Sequence, residues 1–275
     1  MRRKSAPRWL QAARAAGKEF DSKQTQEPTR WLSRALSRSG ALPLGEAERA
    51  IREGRVRLRG RVTTEPFAPL SRGDEVTLDG KVVDTEGAVR VLMFHKPAGV
   101  VTAKHDPERQ GTVFEALRVA LPSALQGYEW HAVGRLDRDT TGLLFFTNDA
   151  SFVAHATSPE SHLAKRYLAR VGGKVTPEKL RTLAEGLDID GKRTRPAKAE
   201  ALGESRVALT LTEGRHHQVK RMLGAVGLPV LELHRDRIGT LALDIDVGSF
   251  RELTPSEIKN DLGYAGLPGL GGAET

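Results

Sequence analysis

Two short, strongly apolar runs at residues 89–94 and 142–147 restrict the fold of this chain most. Both are far below the roughly 18 apolar residues that a membrane-spanning helix needs, and their composition predicts buried strands. Further periodic segments predict helices and a pair of strands, at residues 112–121, 177–187, 197–201 and 206–212. Helices alternating with strands predict an α+β fold whose larger part is a mixed, mainly antiparallel sheet with flanking helices.

The composition narrows the class of protein further. Charged residues make up 28% of the 275-residue chain, the mean hydropathy is −0.40, and there is no cysteine. Disulfides, thiolate nucleophiles and cysteine-based zinc sites are therefore excluded, and no apolar stretch is typical of a signal peptide. We expect a cytoplasmic protein that does not bind a membrane.

Positive charge is concentrated near the N-terminus. Of the net charge of +8, residues 1–27 carry +4, residues 28–85 carry +3, and residues 86–275 only +1. This asymmetry indicates an N-terminal part that binds a polyanion, although a basic solvated surface is the plainer alternative. Residues 1–27 are predicted to form a flexible basic arm and residues 259–275 a disordered tail.

Residues 28–84 are predicted to form a small domain of two helices and a small sheet. Apolar residues at helical spacing place one helix before Gly40 and a second between Pro43 and Gly54. Charged and apolar residues then alternate over 55–59 and resume after a turn, which is typical of a hairpin with arginines on its outer face.

This small domain resembles the S4 RNA-binding domain. The resemblance covers residues 29–83 and is carried by the first helix, by residues 46–60 and by Gly73-Asp74-Glu75-Val76. It implies that arginines of the helices and hairpin contact RNA, namely Arg34, Arg38, Arg52, Arg55 and Arg57. Arg59 stands where the family usually has asparagine, a residue that favours the positive φ of a tight turn.

The most distinctive stretch of the chain covers residues 131–149. It places Asp137 in a polar loop just before the second apolar run, with Arg135 and Arg138 on either side. A carboxylate between cations stays ionised at neutral pH, which suits a nucleophile or an electrostatic stabiliser. Ordinary turn and salt-bridge roles for Asp137 and Asp139 remain the alternative.

A second stretch, residues 213–227, predicts an amphipathic helix. Its apolar stripe has the helical spacing of a core-facing surface and consists of Val219, Met222, Leu223 and Val226. Lys220 and Arg221 flank this stripe, where one of them can pair with a catalytic carboxylate while the other reaches nucleic acid. A solvated basic edge is again the alternative.

His216 and His217 are the adjacent histidine pair of the sequence. Neighbours on a helix point about 100° apart, so the two rings are not expected to bind one metal ion. No other metal-ligand spacing and no glycine-rich nucleotide loop is present. We therefore expect neither a metal nor a small-molecule cofactor.

The C-terminal motifs resemble the RsuA family of pseudouridine synthases, with Gly134-Arg135-Leu136-Asp137 as the signature loop. Further matches lie in the family's order within residues 89–254: Lys96-Pro97-Ala98-Gly99-Val100-Val101-Thr102, Thr157-Ser158-Pro159, Lys165-Arg166-Tyr167, His217-Gln218-Val219-Lys220-Arg221-Met222 and Glu232-Leu233-His234-Arg235-Asp236-Arg237-Ile238-Gly239. The last two resemble the subgroup that acts on small-subunit (16S) ribosomal RNA more than the large-subunit subgroups.

The resemblance implies a catalytic domain over residues 89–258 that isomerises uridine in RNA without a cofactor. Asp137 would act at the ribose, either by attack on C1′ or by removal of the 2′ proton. Lys220, or alternatively Arg221, would be its ionic partner, and Tyr167 the platform for the base and a candidate proton acceptor. RNA contacts are implied for Lys96, Arg135, Arg138 and Arg221.

The implied partner is ribosomal RNA, free or in a pre-ribosomal particle, bound by a monomer. Three other functions stay open on the sequence alone. One is a synthase acting on large-subunit (23S) ribosomal RNA, and another is a catalytically silent RNA-binding or ribosome-assembly factor. The third, a carboxylate glycosidase, is disfavoured because no second acid is convincingly paired with Asp137 as general acid.

Overall fold

The computed structural model describes residues 30–71, 73–85, 89–108 and 111–265, so the predicted arm at 1–27 lies outside the described residues. The described chain forms two compact units. The first holds the residues up to 87 together with Gly127–Glu129, and the second holds residues 88–126 and those from 130 onwards. Gly127–Glu129, which lie within the predicted catalytic domain of residues 89–258, are grouped with the first unit.

The first unit contains two helices and short strands. Its elements are β1 (Arg30–Trp31), α1 (Leu32–Arg38), α2 (Leu44–Arg52), β2 (Val56–Leu58), β3 (Arg61–Val62), β4 (Pro69–Leu70), β5 (Val76–Leu78) and β6 (Lys81–Val83). The order β3-β2-β5-β6 forms an antiparallel sheet, and β1 pairs with β4. Leu32 and Leu36 of α1 and Ile51 of α2 are wholly buried with Val56 in one core. The predicted pair of helices and small sheet is confirmed.

The hairpin tip between β2 and β3 shows how arginine replaces the expected asparagine. Arg59 and Gly60 both have positive φ, 52° and 75°, as a two-residue hairpin turn with the twist of the strands requires. The Arg59 guanidinium donates from Nε and Nη2 to the two carboxylate oxygens of Asp74, at 2.6 Å each. This bidentate pair ties the hairpin tip to the loop that precedes β5.

The second unit is built on one large sheet. Its first elements are β7 (Val91–Lys96), α3 (Val113–Ala120), α4 (Ser123–Gln126), β8 (His131–Val133), β9 (Thr140–Thr147), α5 (Ala150–Thr157), β10 (Lys165–Val171) and α6 (Pro177–Glu185). They are followed by β11 (Asp188–Ile189), β12 (Lys192–Arg193), β13 (Lys198–Gly203), β14 (Arg206–Leu211), α7 (Gln218–Ala225), β15 (Val230–Ile238), β16 (Leu241–Ala242) and β17 (Phe250–Glu252).

Within the described residues, the sheet runs in the order β13-β14-β10-β15-β9-β7-β17, with β16 added to β15 and β8 to β9. The pairing of β9 with β15 is parallel and the other pairings are antiparallel. The predicted mixed, mainly antiparallel fold is confirmed. Strand β9 is almost wholly buried because it lies in the middle of this sheet, as its apolar sequence predicts.

The C-terminal boundary differs from the prediction. Residues 257–261 form a π-helical turn, and Leu262 and Tyr264 beyond it are buried in the core that also contains Phe152. The Tyr264 ring meets Phe152 edge to face at 5.1 Å between centroids. Placing residues 259–265 in a disordered tail is therefore wrong, because these two apolar side chains complete the core. Residues 266–275 lie outside the described residues.

No helix in the described part of the chain is long and apolar enough to cross a bilayer.

Candidate active site

The loop that carries Asp137 connects β8 to β9 and is anchored from below by Lys96, the last residue of β7. The Lys96 side chain is wholly buried, and its Nζ donates to the carbonyl oxygens of Pro97 at 3.0 Å, Arg138 at 3.2 Å and Thr140 at 2.9 Å. Burial lowers the pKa of Lys96 to about 8, against the opposing effect of nearby carboxylates. The prediction that Lys96 contacts RNA is wrong, because its ammonium group is buried beneath the loop.

The segment after Lys96 holds the same loop from its side. Thr102 Oγ1 donates to the carbonyl oxygen of Leu136 at 2.7 Å and accepts the Leu136 N–H at 3.2 Å. The N–H of Gly99 donates to the carbonyl oxygen of Arg138 at 2.8 Å. The two sequence motifs, 96–102 and 134–137, thus form one structure in which the first fixes the backbone of the second.

Asp137 lies between two nitrogen atoms. Lys220 Nζ is 3.3 Å from its Oδ2, and His217 Nε2 is 3.2 Å from its Oδ1. The ammonium of Lys220 also donates to Oδ1 of Asp139 at 2.6 Å. The Asp137 side chain is 28% exposed, so the carboxylate can be reached from solvent. The structure thus brings the predicted Asp137 and Lys220 together and adds His217 and Asp139.

The charges of this cluster support one another. Burial alone would lower the pKa of Lys220, but the carboxylates of Asp139 and Asp137 outweigh it and raise the pKa. The hydrogen bond from Lys220 lowers the pKa of Asp139 in turn. Lys220 is therefore held as a cation beside the Asp137 carboxylate.

Helix α7 positions Lys220. It buries Val219, Met222 and Leu223, as its periodicity predicts, and this packing places Lys220 on the neighbouring face. Arg221 instead forms an ion pair with Asp190 in the turn between β11 and β12. The structure therefore places Lys220 rather than Arg221 beside Asp137.

The register of the sheet brings Tyr167 to the same site. Lys96 of β7 is paired with Gly142 of β9, Gly142 with Arg235 of β15, and Arg235 with Tyr167 of β10. Residues in register across a sheet lie on the same face. Because Asp137 precedes Gly142 by five residues, this row of paired residues places Tyr167 near the loop of Asp137.

Arg235 is a buried residue of this row that the sequence did not single out. It is 2% exposed, its Nε donates to the carbonyl oxygen of Leu143 at 2.7 Å, and its Nη1 lies 3.4 Å from the Tyr167 hydroxyl. Its guanidinium carbon is 5.8 Å from the centre of the Tyr167 ring. Arg235 therefore supports Tyr167 from beneath. Its position inside the matched motif at 232–239 was the sequence feature that could have identified it as a residue of the site.

These residues line a pocket at the end of the sheet. Its wall contains the predicted Arg135, Asp137, Tyr167 and Lys220. The other lining residues come from the loop, from β9, β14 and β15, and from α7 with the segment before it: Leu136, Thr140, Leu211, Glu213, Gly214, Arg215, His217, Gln218, Val219 and Leu233. Arg138 is not part of this wall and forms ion pairs with Asp106 and Glu108, at 3.5 and 3.2 Å.

The arginines predicted to bind RNA in the first unit differ in their surroundings. Arg34 is exposed on α1, and Arg38 is half-buried at the end of that helix. Arg57 donates to the carbonyl oxygen of Gly60 at 3.2 Å. Two others are in ion pairs: Arg52 with Glu48 at 3.1 Å, and Arg55 with both carboxylate oxygens of Asp79.

Within the described ranges, no group of three or more histidine, aspartate or glutamate side chains is arranged to hold a metal ion.

Comparison with known proteins shows the family to which this fold belongs. Residues 90–225 match the family of RNA pseudouridylate synthases. A ribosomal small subunit pseudouridine synthase A from Yersinia pestis is 37% identical, over 83% of this chain and 95% of that protein. A ribosomal large subunit pseudouridine synthase B from Bacillus subtilis is 34% identical, over 83% and 93%. The crystal structure of a pseudouridylate synthase, 33% identical, covers 84% of this chain and 99% of its own with a TM-score of 0.58.

The chain belongs to the RNA pseudouridylate synthase family. It is an isomerase that converts uridine in RNA to pseudouridine, as the resemblance of its motifs predicts.

Proposed function

We propose that this enzyme isomerises a uridine of small-subunit ribosomal RNA and that Asp137 is the group that reacts at the ribose. The observation that carries the proposal is the Asp137 carboxylate, which is held by Lys220 in a pocket that Tyr167 also lines. The reaction breaks the bond between N1 and C1′, turns the base and joins C5 to C1′. The C5 proton is lost and N1 gains one, so no external group is consumed and no cofactor is required.

The residues of the pocket have roles that fit these steps. Lys220 is the ionic partner that holds the Asp137 carboxylate. Tyr167 offers an aromatic face to the detached uracil and a hydroxyl as proton acceptor. Arg135, at the wall of the pocket, is proposed to contact RNA and to help occupy the gap that a flipped-out uridine leaves. Both attack of Asp137 on C1′ and removal of the 2′ proton use this arrangement.

The small-subunit substrate is proposed from two observations. The motifs at 217–222 and 232–239 resemble the subgroup that acts on 16S ribosomal RNA, and relatives named for the small subunit cover most of the chain. The large-subunit relative from Bacillus subtilis makes 23S ribosomal RNA the second candidate. We propose that the enzyme acts in the cytoplasm, as a monomer, on free RNA or a pre-ribosomal particle.

The geometry disfavours a glycosidase. A second carboxyl group would have to be a proton donor, whereas Asp139 is bound to the Lys220 ammonium with a lowered pKa. A carboxylate held in that ion pair stabilises charge and does not donate a proton. The arrangement therefore supports an isomerase with one reacting carboxylate.

The proposal is tested by site-resolved pseudouridine mapping of ribosomal RNA from a deletion strain complemented with Asp137→Asn. We expect one small-subunit uridine to lose its modification in the deletion and the variant, and to regain it with the wild type. Replacement of the exposed Asp246 by Asn is the matched control and should restore modification fully. Unchanged modification with Asp137→Asn would refute the role of Asp137, whereas a loss at a large-subunit position would replace the proposed substrate only.

A further inference from the structure

The histidine pair before α7 contacts the proposed reacting group through one of its members. The rings of His216 and His217 stack with centroids 3.8 Å apart, and His217 Nε2 is 3.2 Å from Asp137 Oδ1. Because Lys220 lies at Oδ2, each oxygen of the carboxylate has its own nitrogen partner. A donor on each oxygen fixes the rotation of the carboxylate about its Cβ–Cγ bond, which a single donor does not.

The lysine alone holds Asp137 loosely. Its ammonium is 2.6 Å from Asp139 but 3.3 Å from Asp137, so the shorter contact goes to the other acid. The second donor, His217, therefore contributes an anchor that does not depend on how Lys220 divides itself between the two carboxylates. The other charged groups at the pocket wall are Arg135, Glu213 and Arg215.

The backbone at His217 points to the same role. This residue has a left-handed conformation, with φ 51° and ψ 29°, which costs free energy for a residue other than glycine. It occupies the N-cap position of α7 but its side chain makes no capping hydrogen bond. The conformation instead carries the imidazole towards Asp137.

We infer that His217 is a positioning residue for the isomerisation: it donates its Nε2–H to Asp137 Oδ1 and, with Lys220 on Oδ2, fixes the carboxylate in the plane from which it meets the ribose. This inference rests on the proposed role of Asp137. The proposed hydrogen bond requires a form of the imidazole in which Nε2 carries a hydrogen atom, because a bare ring nitrogen cannot donate to a carboxylate.

The kinetic test compares His217→Ala with His217→Gln. The amide nitrogen of glutamine is as many bonds from Cβ as Nε2 of histidine, so it can replace the donor. With unmodified ribosomal RNA and ribosomal subunits from the deletion strain as substrates, we expect kcat of His217→Ala to fall about 10- to 100-fold with KM within about twofold, since misorientation of a reacting group costs up to about 100-fold. His217→Gln should recover most of kcat.

His162 supplies a matched control. It is also a histidine with a left-handed backbone, φ 49°, but it is exposed and lies beside Arg195 outside the pocket. His162→Ala should keep wild-type kcat, and circular dichroism should show all three variants folded. Full activity of His217→Ala would overturn the inference, and so would an equal loss in His217→Ala and His217→Gln.

A measurement without RNA separates this inference from the proposed function. In two-dimensional NMR of the imidazole nitrogens, we expect His217 Nε2 to be protonated in the wild type and its resonances to shift in Asp137→Ala, while those of His162 stay unchanged. Unshifted His217 resonances would refute the contact even in an active enzyme. Conversely, retention of modification by Asp137→Asn would refute the proposed function even if the contact is found.

Discussion

Lys96 shows how a single buried cation can fix the loop of a candidate active site from beneath. Its ammonium donates to three backbone carbonyl groups: that of Pro97, that of Arg138 in the loop of Asp137, and that of Thr140, where β9 begins after the loop. Carbonyl groups carry no formal charge, so burial still disfavours the ammonium form and lowers the pKa to about 8. The charge serves to hold the backbone on which Asp137 is displayed.

Replacing Lys96 with methionine should therefore impair folding and chemistry rather than RNA binding. We expect Lys96→Met to lower the free energy of unfolding at pH 7 by about 2 kcal/mol, because buried carbonyl groups lose their donor. Its kcat should fall because the loop loses an anchor, while the Kd for RNA stays within about twofold. Chemical denaturation and filter binding measure these quantities, with the exposed Lys174→Met as control. A loss of RNA affinity without a loss of stability would instead support the prediction that Lys96 contacts RNA.

The pKa of Lys96 also predicts a pH dependence of stability. Between pH 8 and about 10.5 the unfolded chain retains a proton on Lys96 that the folded chain has lost, so stability rises with pH in that window. Below pH 8 Lys96 is protonated in both the folded and the unfolded chain, so the full cost of burying the charged ammonium lowers the stability of the fold. The wild type should accordingly gain up to about 3 kcal/mol over Lys96→Met between pH 8 and 10.5. A difference between the two proteins that does not change with pH would contradict a lowered pKa.

At the scale of elements, the central row of the sheet joins the parts of the site. The close pairing of β9 with β15 requires glycine at position 142. A Cβ atom there would lie 2.2 Å from the carbonyl oxygen and 2.6 Å from the nitrogen of Arg235, and the φ of 112° is unfavourable for other residues. The close approach of β9 and β15 sets the position of Arg235 under Tyr167 and of the loop that precedes β9.

Substitution of Gly142 by alanine should break this row. We expect Gly142→Ala to cost more than about 3 kcal/mol or to prevent folding, because the clash is with backbone and the conformation is unfavourable for alanine. Gly224→Ala is the matched control, since Gly224 lies in α7 with nothing within 4 Å of its added Cβ, and it should stabilise the protein by about 0.5–1 kcal/mol. Thermal unfolding of both variants checks this, and a Gly142→Ala protein within 1 kcal/mol of the wild type would refute it.

The elements were predictable where a local pattern specifies them. The apolar run of β9, the stripe of α7 and the alternation over residues 55–59 each predicted the correct element. The parallel pairing of β9 with β15 was not predictable, because it joins residues about 90 positions apart and depends on the whole sheet. Lys96 was misassigned since charge alone does not report burial, although its place at the end of the apolar strand β7 was a signal.

The site residues, like the elements, were predictable from the sequence only where a local motif specifies them. Asp137, Tyr167 and Lys220 were named from motifs, and the structure brings them to one pocket. His217 was considered as a metal ligand and as the first residue of the matched motif at 217–222, without a role at Asp137. Its contact with Asp137 depends on a left-handed backbone that the sequence does not reveal. Their roles in catalysis remain predictions until the substitutions are made.

At the scale of the whole molecule, the described first unit and the site are separate in sequence and in charge. The net charge of +3 over residues 28–85 contrasts with +1 over residues 86–275. If the first unit binds RNA backbone as its S4 resemblance implies, it should set affinity and salt dependence, while the pocket around Asp137 sets the rate of the bound complex.

Charge reversal of Arg34 and Arg57 tests this division of labour. Arg34 is exposed on α1, and Arg57 lies on the hairpin strand β2, so Arg34→Glu combined with Arg57→Glu should leave the fold intact. Each phosphate contact contributes about 0.7–0.9 to the slope of log Kd against log salt, so the double variant should lower that slope by about 1.5 and weaken binding at low salt. At saturating RNA its kcat should remain within about twofold of the wild type.

The control must change the net charge equally without touching the first unit. Lys174→Glu combined with Arg181→Glu does so, because both side chains are exposed in the second unit, before and within α6. If general attraction by net charge accounts for RNA binding, both double variants will lose affinity alike, which would contradict a specific RNA surface on α1 and the hairpin. If that surface binds RNA, only reversal of Arg34 and Arg57 will change the salt slope, and because kcat is preserved the loss will be confined to subsaturating RNA.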